Sequence, residues 1–113
     1  MSLNEKLVAR IRELLAAAEK EVEEKRMFGG LCFMVDDKMC VCARESSIMV
    51  RIDPAGSDEA LELPGVTPMV HNGRGMKGYV YVDETALTTK KQLAYWVNQA
   101  LAFNRFAKSS KKK

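Results

Sequence analysis

Residues 73–82 of this 113-residue chain read Gly-Arg-Gly-Met-Lys-Gly-Tyr-Val-Tyr-Val, and this stretch decides the fold class. Its last four side chains are aromatic or β-branched, which predicts a strand. Its glycines predict a loop with positive φ values that feeds this strand. Backbone N–H groups beside Arg74 and Lys77 could also cradle a phosphate, but nucleotide-binding loops follow a strand, whereas this segment precedes one. We therefore interpret residues 73–78 as a structural loop.

A second glycine-bearing stretch, Met27-Phe28-Gly29-Gly30, separates two kinds of pattern. Before it, from Leu3 to about Glu24, apolar residues recur every three or four positions, which predicts a long helix with one buried face. After it, the apolar runs 31–35 and 39–43 predict a β-hairpin. The stretch from Met27 to Gly30 is therefore interpreted as a hinge that leads from the helix into the sheet.

The remaining segments predict further strands and a second helix. In residues 48–52, the β-branched apolar residues occupy every second position, which predicts a strand. Arg51 should therefore point away from the face that holds Ile48. Residues 66–70 predict a weak strand, and Pro68 confines it to a sheet edge or a bulge because proline has no N–H for the ladder. Thr89 has the spacing of a helix start with Gln92, and the helical pattern then continues to about residue 107.

This element order predicts the fold class. A helix, a run of strands and a helix cannot form parallel crossover units, so we expect an antiparallel sheet of four to five strands. Both long helices should cover one face, which makes a two-layer α+β domain over residues 1–107. Residues 108–113 are rich in lysine and poor in apolar residues, and they predict a disordered tail. Four of the 18 basic residues lie in those six positions, which leaves 14 against 15 acidic residues, so the folded body is about neutral.

The three cysteines and the single histidine are candidates for a reactive or metal site. Cys40 and Cys42 should share one strand face, a spacing that suits neither a disulfide nor a zinc knuckle. Cys40 and Cys42, together with Cys32 and His71, make four residues of the types that bind zinc. A Cys–His nucleophilic pair is also conceivable. Their positions in apolar runs instead favour small buried side chains. The odd cysteine count and the lack of a signal peptide or an apolar membrane segment predict a reducing cytoplasm and no membrane contact.

Six of the seven methionines fall in the strand half of the chain. If two helices cover only one face of the sheet, methionine and cysteine side chains on the other face would be exposed unless a partner covers them. This pattern predicts a homodimer or a contact with another protein.

The order of these features resembles the TfoX N-terminal domain family over nearly the whole chain. The residues that carry the resemblance are Met27, Phe28, Gly29, Gly30, Arg74, Met76, Lys77 and Gly78. The resemblance implies a small α+β domain without catalytic residues or a cofactor. The better-known members are regulators of bacterial competence for DNA uptake, and many carry a second, helical domain. With its last residue at Lys113, this chain is expected to be a stand-alone version of the N-terminal domain.

We therefore expect a bacterial, cytoplasmic, non-enzymatic regulatory or protein-interaction module that uses no metal and no cofactor. Its contact residues would be Arg51, Arg74, Met76 and Lys77, on the sheet face and the glycine-rich loop. One alternative is a nucleic-acid-binding protein that uses these cations together with the lysine tail. The other alternative is a cysteine-dependent enzyme, which would show fast thiol alkylation at neutral pH.

Overall fold

Every strand in the sheet runs antiparallel to its neighbours. A computed structural model describes residues 4–19, 21–27, 30–36, 38–71 and 73–106. In chain order the elements are α1 (Glu5–Ala17), β1 (Val22–Met27), β2 (Gly30–Val35), β3 (Lys38–Ala43), β4 (Ser47–Arg51), α2 (Ser57–Ala60), β5 (Val66–His71), β6 (Arg74–Asp83) and α3 (Lys90–Asn104). Short 3₁₀ turns at Pro54–Gly56 and Glu84–Ala86 precede α2 and α3. The described strands form one sheet in the order β1-β2-β3-β4-β6-β5.

The predicted two-layer α+β architecture is confirmed, with a sheet of six strands rather than four or five. Helices α1 and α3 lie on the same face, where their apolar stripes meet alternate strand residues in what we call the helix-side core. Among its fully buried members are Ile11, Leu15, Phe33, Val41, Ile48, Val50, Leu93 and Val97. The apolar residues whose spacing predicted the two long helices are buried on this face.

Helix α3 begins at the predicted capping box. Thr89 Oγ1 accepts a hydrogen bond from the Gln92 backbone N–H at 3.1 Å, and Gln92 Oε1 accepts one from the Thr89 N–H at 3.0 Å. These reciprocal bonds satisfy N–H groups that would otherwise have no partner at the helix start. The helix ends at Asn104, where the Asn104 side chain donates to the carbonyl oxygen of Val35 at 3.1 Å.

The prediction of one helix from Leu3 to about Glu24 is wrong after Ala17. Helix α1 ends at Ala17, and Glu19 adopts a left-handed φ of 56° that turns the chain away. Residues 22–27 then form β1, where Val22 packs against the core from a strand and the next four residues are exposed. The segment satisfies its backbone groups by pairing with β2, and its charged residues suit a sheet edge.

Consequently, Met27 and Gly30 do not form a hinge between helix and sheet. They are the paired residues at the end of β1 and the start of β2. Phe28 and Gly29 lie outside the described residues. A Cβ atom on Gly30 would lie 2.1 Å from the carbonyl oxygen of Ala43, so the close approach of β3 requires glycine here.

The glycine-rich segment 73–78 is shorter as a loop than predicted. Strand β6 already begins at Arg74, so only the first residue of the segment lies in the turn. Positive φ is confirmed at Gly73 (75°) and Gly78 (87°). Gly78 also lies against the carbonyl oxygen of Ile52, which would be 3.0 Å from an added Cβ atom. The segment therefore serves strand pairing through its backbone.

Strand pairing in the sheet is irregular at two places among the described residues. Strand β5 is an edge strand, as Pro68 predicted, and its pairing with β6 shifts between Pro68 and Val70. On β3, the pairing with β2 shifts so that Phe33 opposes Val41 while Met34 opposes Met39, which leaves Cys40 as an extra residue. Bulges of this kind increase local twist and redirect side chains.

Candidate functional site

The predicted contact residues lie on two neighbouring strands. Arg51 ends β4, faces away from Ile48 as predicted, and is half-buried with its guanidinium 5.3 Å from the centre of the Tyr79 ring. Arg74, Met76 and Lys77 lie in β6, and their side chains are outside the described part of the structure. The backbone therefore places all four on neighbouring strands.

Arg44 repeats the arrangement of Arg51 and was missed by the sequence analysis. Its guanidinium lies 4.8 Å from the centre of the Tyr81 ring. Each arginine is thus engaged by a tyrosine of β6, an interaction worth about 0.5–1 kcal/mol at an exposed site. The alternation of Tyr79 and Tyr81 on the strand was the available signal, because both rings must face the same side.

The second sheet face carries a methionine–cysteine cluster that consists of Cys32, Met34, Met39, Cys42, Met49 and Met69. Tyr79 and Tyr81 pack against it. All six members are buried within the single chain, and Cys32, Cys42 and Met49 have no exposed surface. The expectation that these side chains would be exposed without a partner is therefore wrong.

The three cysteines divide between the two faces. Because of the bulge, Cys40 and its neighbour Val41 both face the helix-side core, whereas Cys42 belongs to the methionine–cysteine cluster. The expectation that Cys40 and Cys42 share a face is wrong. Burial raises the pKa of Cys40 to about 12, so its thiol is protonated at neutral pH. His71 lies in β5, and its side chain is outside the described part.

Cys32 and Cys42 form a cross-strand pair. They are directly opposed in the register of β2 and β3, and their thiols share a hydrogen bond. That bond, together with burial, raises the pKa of Cys32. The same bond lowers the pKa of Cys42 against the effect of burial, and the positive charge of Arg44 acts in the same direction. The pairing of these two residues could not be predicted from the sequence, since the register depends on the bulge.

An open apolar groove lies on the helix side of the molecule. We call it the α3 groove, and Leu63, Tyr95 and Trp96 form its centre. Leu63 follows α2 and is 41% exposed, while Tyr95 on α3 is 48% exposed. The Tyr95 ring meets the largely buried Trp96 ring edge to face at a centroid distance of 5.1 Å. Two cavities of about 630 Å³ and 280 Å³ adjoin this centre.

The two ends of the α3 groove differ in charge. Asp53 and Glu59 line the smaller cavity, near α2. Lys91 lines the larger one, beside the first turn of α3. The walls between them are apolar, so the groove can take an apolar side chain and distinguish the charges on either side of it. Tyr95 lies outside the buried stripe of α3, which is the signal by which the sequence could have revealed it.

The described residues hold no group of three His, Cys, Asp or Glu side chains arranged as metal ligands. Within those same residues, no helix has both the length and the apolar character needed to cross a bilayer.

An antiparallel sheet with two long helices on one face defines a small two-layer α+β domain. This chain belongs to the TfoX N-terminal domain family, whose model matches residues 13–104. It is accordingly a competence-regulator-like domain. The matched residues run from α1 to the last residue of α3, so they include all six strands and the α3 groove. Neither a curated protein nor a solved structure matches the chain significantly.

Proposed function

We propose that this domain is a non-enzymatic regulatory module that binds a partner protein through the α3 groove. The observation that carries the proposal is the exposure of Leu63 and Tyr95 around an apolar cavity of about 630 Å³. A large aromatic side chain left half-exposed beside a concave apolar surface is typical of a protein contact. Membership of a family of competence-regulator-like domains supports a regulatory role.

The groove is a better contact surface than the sheet face. The methionine–cysteine cluster is buried by the chain itself, so its side chains do not need a partner. Arg44 and Arg51 are half-buried against tyrosine rings. The groove, by contrast, leaves apolar surface of Leu63 and Tyr95 in water.

The occupant is a peptide segment with an apolar anchor and an adjacent basic residue. The anchor fits between Leu63 and Tyr95, where it would displace water from apolar surface. The basic residue would lie near Asp53 and Glu59 at the α2 end. A segment with its acidic residues at that end would be repelled, so the charges set the direction of binding.

A peptide selection tests this proposal without a known partner. The full chain is immobilised, a random peptide library is panned against it, and the affinities of selected peptides are measured by fluorescence anisotropy. We expect peptides with an apolar anchor and a nearby Lys or Arg. Leu63→Asp and Tyr95→Ser should each weaken binding by about tenfold or more, the effect of losing a contact worth at least 1.4 kcal/mol.

Phe106→Ser is the matched control, because Phe106 is 70% exposed and does not line the groove. Phe106→Ser should change the affinity for the peptide less than about twofold. Glu59→Lys should weaken the binding of a basic peptide. Equal losses in Phe106→Ser and Tyr95→Ser, or no selected peptide, would overturn the proposal. A strict dependence of the binding on self-association in light scattering would reassign the groove to a second copy of the chain.

Direct nucleic-acid binding is the other outcome to measure. It predicts affinity for a DNA duplex that falls steeply with salt and is unchanged by Leu63→Asp. If duplex binding is tight and removal of residues 108–113 weakens but does not abolish it, while no peptide binds, the protein-contact proposal fails.

A further inference from the structure

We propose that Cys32 and Cys42 are an oxidisable dithiol that hydrogen peroxide converts into a reversible intramolecular disulfide. The two residues are directly opposed on β2 and β3 and belong to the same buried cluster. Cys40 is excluded as a partner because it faces the helix-side core. The pair is on the opposite sheet face from the α3 groove, so this inference is independent of the proposed function.

The geometry of two opposed strands allows a Cys32–Cys42 disulfide but would strain it. Opposed residues in antiparallel strands have Cα atoms about 4.5–5.5 Å apart, which is within the range that disulfides span. Their Cβ atoms are about 4.5–5.5 Å apart, wider than the mean of about 3.8 Å in disulfides. Closing the bond must therefore draw β2 and β3 together locally. A strained disulfide of this kind is readily reduced, which is the property of a reversible modification.

The two thiols have different roles in the reaction. The hydrogen bond from Cys32 and the charge of Arg44 both favour the thiolate of Cys42, which makes Cys42 the nucleophile. Its sulfur attacks one peroxide oxygen, the O–O bond breaks, and the departing hydroxide takes a proton to become water. Cys42 is then a sulfenic acid.

Cys32 is in contact with Cys42 and resolves this intermediate. The Cys32 sulfur attacks the Cys42 sulfur, the S–S bond forms, and the sulfenic oxygen leaves with the Cys32 proton as a second water. Two thiols have lost two protons and two electrons, and one peroxide has become two waters. Since both cysteines are fully buried, only a small neutral oxidant can reach them, and peroxide meets that requirement.

The test treats the full chain with hydrogen peroxide, then denatures it and alkylates the remaining thiols. We expect wild type to lose two of its three alkylatable thiols, a change that a thiol reductant reverses. Peptide mapping without reduction should link Cys32 to Cys42. Because this mapping uses the wild-type chain, it does not depend on whether any variant folds.

Three variants assign the roles. Cys40→Ala should form the same disulfide as wild type. Cys32→Ala should accumulate a sulfenic acid at Cys42 that dimedone traps, whereas Cys42→Ala should give no trapped product at Cys32. A disulfide that includes Cys40, or three thiols that all remain alkylatable after prolonged exposure to excess peroxide, would overturn the proposal.

Discussion

Cys40 and Cys42 are two residues apart on β3 and lie on opposite faces of the sheet. Cys40 is the extra residue of a bulge and belongs to the helix-side core, whereas Cys42 opposes Cys32 on the other face. Regular alternation would have put both on one side. The bulge therefore gives these chemically identical residues different surroundings.

We expect Cys40 to make stability depend on alkaline pH. Its pKa is raised from 9.0 to about 12 by burial, so the folded state keeps a proton that the unfolded chain loses. This stabilisation is complete below pH 9 and is lost as the pH rises toward 12, at up to about 1.4 kcal/mol per pH unit. The free energies of unfolding of wild type and Cys40→Ala, measured in urea, should therefore converge between pH 9 and pH 11. Parallel stability curves for the two proteins would contradict this assignment.

We expect Gly30→Ala to destabilise the fold by about 3 kcal/mol or more. The added Cβ atom would lie 2.1 Å from the carbonyl oxygen of Ala43, and two paired strands must separate to admit it. Gly56→Ala is the control, because an added Cβ atom there meets nothing within 4 Å. Gly56→Ala should be neutral or stabilising by up to about 1 kcal/mol in urea unfolding. A similar loss in both variants would show that the close approach at Gly30 is unimportant.

We expect Asn104→Ala to cost about 1–3 kcal/mol, because it removes the donor to the buried carbonyl oxygen of Val35. This bond joins the end of α3 to the end of β2. Asn98→Ala, at an exposed position on the same helix, should stay within about 0.5 kcal/mol of wild type. Chemical denaturation of the three proteins decides the matter, and equal stability of both variants would refute the role of the bond.

We expect Glu24→Gln to loosen β1. Both carboxylate oxygens of Glu24 accept hydrogen bonds from Arg12 at 2.7 Å, which ties this edge strand to α1. The bond lowers the pKa of Glu24 below 4.5, so the stabilisation is present above pH 4.5 and is lost as the pH falls through the lowered value. Hydrogen exchange of β1 amides should be faster in the variant at pH 7, with the difference shrinking in acid.

Glu23→Gln is the control for this experiment, since Glu23 is the exposed neighbour whose side chain points to the other side of β1. The tie is also expected to weaken at high salt, because the pair is largely exposed. If Glu23→Gln accelerates exchange as much as Glu24→Gln, general edge charge rather than the ion pair protects β1.

Much of the architecture could be predicted from local patterns. The capping box of Thr89 and Gln92, the hairpin of β2 and β3 and the edge position of Pro68 were correct, because each depends on residues close together in the chain. Strand β1 was missed because Val22 continues the apolar spacing of α1. Two apolar residues separated by four charged ones show little strand periodicity, and pairing with β2 decides the conformation of this segment.

The candidate sites were less accessible to sequence analysis. Leu63 and Tyr95 line the same two cavities although they lie far apart in the chain, and no local pattern predicts that proximity. The Cys32–Cys42 pair depends on a one-residue shift in register, which moves a side chain to the other face. Arg44 gains its importance from Tyr81, two strands away in the sheet order.

The amino-acid sequence by itself determined the fold class, the positive φ of Gly78 and the family. These rest on hydrophobic periodicity, on φ restrictions and on residue identity, all of which act over a few neighbouring positions. Tertiary structure alone decided that the methionine–cysteine face of the sheet is buried and that the α3 groove is exposed. It also decided that Cys40 and Cys42 lie on opposite faces of the sheet. The reason is that burial and register arise from contacts between segments far apart in the chain, which only packing brings together.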